Sequence, residues 1–516
     1  MDQAQGQAVL HHPALQWPTD GNARVPYRIF SDPDIYREEL TRIFLGPTWQ
    51  FLTLASQLPK AGDYLTTFLG ETPVIVTRGH DDKIHAMLNR CAHRGNLVCL
   101  KRRGHAEDLT CVYHAWRYDL EGNLKSVAFR RGVAGRGGMP ESFRLDQHGL
   151  KKLRVDTFGD LVFGSLSPDA PPLGDYIGNL IGSRIHRVLH GKPKVLGTTS
   201  QILHNNWKLY FENVRDTYHA TLLHTFFTTF RISRLTSEGG VDIAESGAHH
   251  ASYTRNKVDR VDPANSDKLY ADIPSLRENF RLKDPSFLTT AEEFGDDTTT
   301  QILSLFPNFV LQQIQNCIAL RLVLPKGPDK TELQWTYIGF EEDGAEMTAL
   351  RLAQANLVGP AGYVSMEDGA VGNFIQRAIH GSEEECSVLE MGGFYRITSA
   401  ENYDAGLPLG LIYATSRDML KDRVSALREA NVYEPQRYRH LVSSIRIIGD
   451  GMQGPEQVDL QANFLVIRTM QDGEMAIFGA GRYVDRVRRD AGAWKFTSKT
   501  VVLDSRQVDT LLAIPI

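Results

Sequence analysis

The sequence predicts an α+β protein of three successive units: a small antiparallel β domain, an antiparallel sheet covered by helices, and a partial α+β unit of one helix and a curved meander. Three observations carry this expectation. Residues 48–120 fall into short β-rich segments broken by Gly, Asp and His. Residues 302–341 return to alternating strands after a helical and polar stretch, and past Gly392 one helical pattern precedes four long strand patterns. The length of 516 residues agrees, since roughly 100–200 residues per domain gives about three domains.

Residues 1–40 read as an N-terminal arm. The opening MDQAQGQAVLHHPALQWPTD has no basic patch followed by an apolar run, and no stretch approaches the ~18–20 apolar residues of a membrane span. A cytoplasmic protein is expected. With 57 basic and 62 acidic residues the net charge is −5, so no global positive field favours nucleic acid or an anionic membrane as partner. Five cysteines in a chain this long make no disulfide framework and point to metal ligation or buried thiols.

The first domain is expected over 41–155, where TWQFLTLASQL, GDYLTTFL, PVIVTRG, KIHAMLN, LTCVYH and WRYDLEGNL supply short strands. The second, 156–392, opens with a helical pattern rich in aromatics and His over 198–230. A polar stretch around 237–296 follows, then the strands ILSLFPNFVLQQI, CIALRLVLP and LQWTYIGF. The third, 393–516, has a helix near 416–430 with Leu420, Val424 and Leu427 on one face, then SSIRIIG, VDLQANFLVIRT, EMAIFGAGRYVDRVRR and WKFTSKTVVLD.

Cys91-Ala92-His93 and Cys111-Val112-Tyr113-His114 offer two thiolates and two imidazoles from two loops. Structural zinc is one reading of such a set, but zinc fingers group Cys with Cys and His with His. One of each per loop suits a [2Fe–2S] cluster with two Cys on one iron and two His on the other. Gly95, Gly104, Tyr113 and Trp116 suit loops folded closely over sulfide, and Cys99 reads as a buried thiol. The string CAHRGNLVC…CVYHAWRYDLEGNL closely resembles the Rieske domain of aromatic-ring-hydroxylating oxygenases.

A cluster alone needs only ~100 residues, so the rest of the chain must do something else. In NNWKLYFENVRDTYHATLLHTFF, Glu212, Asp216, His219 and His224 fall close together, and two His plus a carboxylate is the facial triad of Fe(II) oxygenases. His219 and His224 stand about 140° apart on an ideal helix, so they converge only if the helix ends or distorts between them. The third ligand should be a distant carboxylate, and GPAGYVSMEDGAVGNFIQ offers Glu367 and Asp368.

Asn206-Trp207-Lys208, Glu212-Asn213, Asp216, Tyr218-His219 and His224 together resemble the catalytic motif of the same oxygenase family. The resemblance covers nearly the whole chain and implies a mononuclear iron at His219, His224 and Asp368, with Glu367 the alternative to Asp368. It gives Asn213 a place in the outer shell and makes Asp216 a hydrogen-bonding link to the Rieske His114 of a neighbouring subunit in a ring-shaped trimer. LYFENVRDTYHATLLHTFFTTFRISRL and QANLVGPAGYVSMEDG look most like the salicylate, anthranilate and terephthalate branch, so an aromatic carboxylate is the implied substrate, hydroxylated with O₂ and electrons from NAD(P)H through a reductase, a ferredoxin or both. From about Phe394 the chain resembles instead the small β subunit of these enzymes, a cone-shaped α+β barrel, here without its N-terminal helices. A homotrimer or an α3β3-like assembly is expected. Dihydroxylation and monohydroxylation are both open, since the metal motifs do not distinguish them; the rivals are oxidative demethylation and a catalytically silent assembly or electron-transfer protein.

Overall fold

The computed structural model describes residues 25–216, 219–221, 223–230, 238–255, 282–382, 386–387, 417–429, 431–448, 457–490 and 493–512. The first part of the N-terminal arm, the polar segment 256–281 and the start of the expected third unit lie outside these residues.

The first domain is three small antiparallel sheets. One orders Ile84–Leu88, Thr72–Arg78, Asp63–Leu69 and Arg103–His105; a second pairs Leu109–Thr110, Arg117–Tyr118 and Leu124–Ser126. The third joins Arg154–Phe158 and Leu161–Ser165 back to Gln50–Leu54, so strand pairing carries this unit through Ser165.

The second domain is built on eight strands in the order Glu238–Ile243, His250–Arg255, Thr298–Leu305, Phe309–Ile314, Cys317–Pro325, Thr331–Phe340, Pro193–Leu203 and Gln507–Asp509. Helices Leu173–Ile177 and Asn179–Val188 cover one face through Leu173, Ile177, Ile181, Ile185 and Val188. The other face packs against Trp207–Asn213, Glu367–Ala378 and Arg417–Glu429, where Trp207, Tyr210, Ala370, Met419 and Ala426 share one core. Burying a large apolar side chain such as the 1 %-exposed Trp207 stabilises by roughly 1.5–3 kcal/mol. Among the described residues no helix is long and apolar enough to cross a membrane.

Three expectations change. Residues 198–203 are strand, not helix: they finish Pro193–Leu203, whose backbone pairs with Thr331–Phe340, and the helix starts only at Trp207, after the Asn206 side chain caps Lys208 N–H. The polar stretch past 237 contains two strands of the sheet. In Arg417–Glu429 the buried face is Met419, Asp422, Arg423, Ala426 and Leu427, while Val424 is exposed. Polar anchoring sets that face, for the Asp422 carboxylate accepts the backbone N–H groups of Lys283 and Asp284, and Arg423 donates to Ala361 O.

The last part of the chain forms a four-stranded meander, Gln436–Ile447, Gln457–Met470, Met475–Asp490 and Ala493–Leu503. It has no core of its own among the described residues. Phe464, Val466, Tyr483 and Leu503 join the cluster that holds Trp207 and Tyr363, and Gln507–Asp509 pairs parallel to Pro193–Leu203 as an edge strand of the second domain's sheet.

Candidate metal centres

Two loops of the first domain repeat one backbone pattern. Cys91 N–H donates to Asn96 O at 2.8 Å and Gly95 N–H returns to Cys91 O at 2.9 Å; Cys111 N–H donates to Trp116 O and Ala115 N–H to Cys111 O, both at 2.9 Å. The fourth residue past each Cys turns left-handed, with φ of 74° at Gly95 and 52° at Ala115. These turns aim the side chains together. His93 and His114 bring their Nδ1 atoms within 3.1 Å, and Trp116 lies flat on the His93 ring at 4.9 Å. The Tyr118 hydroxyl stands 3.2 Å from Cys91 Sγ, and Asn96 Nδ2 points at Cys111 Sγ from 3.7 Å.

Burial above all pushes the Cys91 thiol up, and the adjoining Cys111 thiol adds to the effect. A bound cation would reverse that preference. A pair of neighbouring thiols and a pair of neighbouring imidazole nitrogens, with Tyr118 and Asn96 beside the sulfurs, fit a [2Fe–2S] cluster. Cys99 is a plain buried thiol, pushed up to about 12 by desolvation. Trp116 is buried as expected for a loop cover, but Tyr113 is 56 % exposed.

The second site gathers residues from remote segments. Helix Trp207–Asn213 ends in a turn that carries Asp216; a 3-10 turn, His219–Thr221, follows, and His224 precedes helix Thr225–Thr229. The break between the histidines is what their spacing required. His219, His224 and Asp368 each bring one ligand atom within 4.8 Å of the other two. His219 Nε2 is 3.4 Å and His224 Nε2 3.6 Å from Asp368 Oδ1, which also accepts from Asn213 Nδ2 at 3.1 Å.

Each histidine rests its other nitrogen on a carboxylate. His219 Nδ1 meets Asp216 at 2.7 Å, and His224 Nδ1 meets Glu367 at 3.0 Å. Glu367 and Asp368 open helix Glu367–Ala378, where a 100° step between neighbours sends the two acids to different sides of the histidines. Burial lowers the pKa of His219, but hydrogen bonds to Asp216 and Asp368 outweigh it and lift it to about 9. Two Nε2 atoms and a carboxylate oxygen converging, with both Nδ1 atoms held from behind, fit a divalent iron.

Sequence reasoning missed several groups around this site. Arg321 is the one charged residue of Cys317–Pro325, a strand buried throughout, and that isolation was a legible signal. Its guanidinium donates to Tyr210 Oη at 2.7 Å and lies 4.4 Å over Trp335, with no carboxylate within ion-pair distance among the described residues. Tyr210 sits one helical turn before Asn213 and feels the charges of both Arg321 and Asp368. Pairing across strands sets His250, Ser304, Val310, Arg321 and Trp335 in one row on this face, and neither ring nitrogen of the buried His250 has a hydrogen-bond partner among the described residues.

A Cys/His cluster site on a small β domain, followed by a two-His, one-carboxylate centre on a helix-covered sheet, defines a ring-hydroxylating non-haem iron oxygenase with a [2Fe–2S] cluster and a mononuclear iron. Family comparisons say the same. Residues 48–135 match the Rieske [2Fe-2S] domain, 185–432 the ring hydroxylating alpha subunit (catalytic domain) and 394–510 the ring hydroxylating beta subunit. The chain is 53 % identical over 381 residues to the terephthalate 1,2-dioxygenase terminal oxygenase component subunit alpha 2 of Comamonas sp., spanning 73 % of this chain and 91 % of the relative. It is 46 % identical over 378 residues to the anthranilate 1,2-dioxygenase large subunit of Burkholderia cepacia, with 73 % and 89 % covered. Naphthalene 1,2-dioxygenase from Rhodococcus sp. shares the fold, with a TM-score of 0.59 at 23 % identity over 71 % of this chain and 85 % of that one. The chain belongs to the α-subunit family of Rieske-type aromatic-ring-hydroxylating oxygenases and carries a β-subunit-like C-terminal domain.

Proposed function

We propose that this oxygenase hydroxylates the ring of an aromatic carboxylate in the cytoplasm, with electrons from NAD(P)H delivered by a reductase, a ferredoxin or both. One observation carries the substrate class: the buried Arg321 has no acid partner among the described residues. A buried guanidinium without a counter-anion is costly, and a substrate carboxylate would supply one in bidentate geometry. Tyr210 and Trp335 hold the guanidinium in place. Relatives named for terephthalate, anthranilate and salicylate all act on benzoate-type acids.

We assign Cys91, His93, Cys111 and His114 to the cluster, and His219, His224 and Asp368 to the iron. Glu367 is set aside as a ligand because it contacts His224 at Nδ1, away from the point where the Nε2 atoms meet. When bound, the cluster supplies electrons and the iron activates O₂. The chain's part is to hold both histidines in the Nδ1–H tautomer through Asp216 and Glu367, to steady Asp368 through Asn213, and to orient the ring through Arg321. We further assign Asp216 as the link to His114 of a neighbouring copy in a trimer or α3β3-like assembly. The exposed apolar side chains of Leu97, Leu100, Val112 and Tyr113 around the cluster loops support a protein surface covering them.

Product analysis under ¹⁸O₂ with a panel of benzoates tests the reading: both atoms in one product mark a dioxygenase, one atom a monohydroxylase, and no oxygen-dependent product removes it. Arg321→Met should raise KM for the acid by roughly 10- to 150-fold, the equivalent of about 1.5–3 kcal/mol for a hydrogen bond to a charged group. An unchanged KM would dismiss Arg321 as the anchor.

A further inference from the structure

The carboxylate behind His224 is itself held by the C-terminal part of the chain. Glu367 is fully buried and reaches His224 Nδ1 with Oε2, while its other oxygen, Oε1, accepts from Asn431 Nδ2 at 3.0 Å. Asn431 lies 64 residues further on, at the end of the α-subunit catalytic match (185–432), where it overlaps the β-subunit match (394–510). We propose that Glu367 and Asn431 form a positioning pair for His224, so that the segment following helix Arg417–Glu429 supplies an outer layer of the iron site.

The two histidines are supported differently. His219 leans on Asp216, three residues away in the same turn, whereas His224 leans on a residue 143 positions distant. A buried carboxylate with an unfilled oxygen is unfavourable and free to turn to another donor. Asn431 fills that oxygen, which leaves Oε2 for the imidazole N–H and fixes the Nδ1–H tautomer with Nε2 facing Asp368.

Asn431 is in turn fixed by the helix Arg417–Glu429. Its backbone N–H bonds Ala426 O at 2.9 Å. That helix is fastened to the second domain by Asp422 on Lys283 and Asp284, by Arg423 on Ala361 O and by Tyr363 Oη on Met419 O. The chain from helix to asparagine to glutamate to histidine is therefore continuous through described contacts. It is absent from the cluster site, whose loops hold their own backbone.

The inference rests on His224 being an iron ligand, so the test separates the two. Full-length protein is loaded anaerobically with Fe(II), dialysed, and assayed for iron and acid-labile sulfide, with the electron paramagnetic resonance spectrum of the nitric oxide adduct reporting the iron's surroundings. His224→Ala should lose mononuclear iron; retention there would remove the ligand reading itself. Asn431→Leu should weaken iron affinity about 10-fold and Glu367→Ala about 10- to 100-fold, with an altered nitrosyl spectrum and two sulfides per chain unchanged. Because Asn431 acts through Glu367, the double variant should be no worse than Glu367→Ala alone, and Glu367→Gln, which keeps an acceptor for Nδ1–H, should recover part of the loss. If His224→Ala loses iron while Asn431→Leu binds it normally, or if the two losses multiply, the pair is overturned. Should Glu367→Ala fail to assemble its cluster, Asn431→Leu on the Glu367→Gln background gives the same comparison.

Discussion

The cluster site and the iron site draw on overlapping residue types but are assembled at different ranges. Cys91, His93, Cys111 and His114 sit on two loops whose backbones close on themselves. His219, His224 and Asp368 meet only because a broken helix, a second helix more than 140 residues on, and Asn431 beyond both pack on one sheet face. A locally closed site tolerates change elsewhere, whereas a site gathered from afar inherits the stability of everything that gathers it. The same contrast decides how each was visible in the sequence.

The sharpest break of the comparison is to empty one site and leave the other. Asp368→Ala should abolish ring hydroxylation and drop iron from about three to about two per chain, with two sulfides and the cluster absorbance retained. Cys111→Ser should do the reverse, losing sulfide while the iron at His219 and His224 stays loadable. If either substitution empties both sites, the two are not the separable structures described here.

A smaller effect probes the link between them. Asp216→Asn keeps an oxygen near His219 Nδ1 but removes the charge, and turnover should fall roughly 100-fold while both metals remain, for partners behind metal-ligating histidines are commonly worth 10- to 100-fold. Stopped-flow reduction of the cluster should be unchanged in that variant. Slowed cluster reduction would place Asp216 in donor docking instead.

Acid should act on the iron site through His219. Burial, with His114 and Arg94 adding, holds His93 below its ordinary pKa, so it is neutral near pH 7. In the metal-free protein His219 is raised to about 9, so a metal there must displace a proton, and affinity should fall up to about tenfold per unit as pH drops below that value. Mononuclear iron content should therefore fall progressively on acidification, read by iron content against pH. The sign reverses for the metal-free fold. A raised pKa gives stability that is complete below the unfolded value near 6.5 and lost as pH climbs through about 9, on the order of 3 kcal/mol, which His219→Gln should abolish in pH-dependent melting.

What the sequence disclosed follows the same division. The four residues assigned to the cluster stand out in the sequence because spacing along the chain is the geometry of their loops. For the iron site the histidines and the need for a break between them were legible, but Glu367 and Asp368 are neighbours in sequence and differ only in which way a helix start turns them. Of the expected apolar helix face Leu427 is buried, while Val424 is exposed because the anchoring of Asp422 and Arg423 sets which side turns inward. The C-terminal meander reads as a separate unit, since no periodicity reveals that Gln507–Asp509 will complete the sheet of Pro193–Leu203. Arg321 was visible as a charge in an apolar strand, yet only the fold shows that it lacks an acid partner among the described residues.

The smallest predicted effect lies inside the cluster loops, where internal symmetry supplies its own control. Gly95 and Ala115 occupy matching positions with left-handed backbones, and Ala115 shows that a Cβ is tolerated in this turn. A Cβ at Gly95 would meet nothing closer than Arg90 Cγ at 3.9 Å, so Gly95→Ala adds no clash and carries only the conformational penalty of about 1–2 kcal/mol. Melting should shift down slightly with the cluster spectrum intact. Loss of the cluster would mean that the Cys91 loop, unlike its partner, approaches the sulfide too closely for a side chain, and the two loops would then be alike in backbone but not in function.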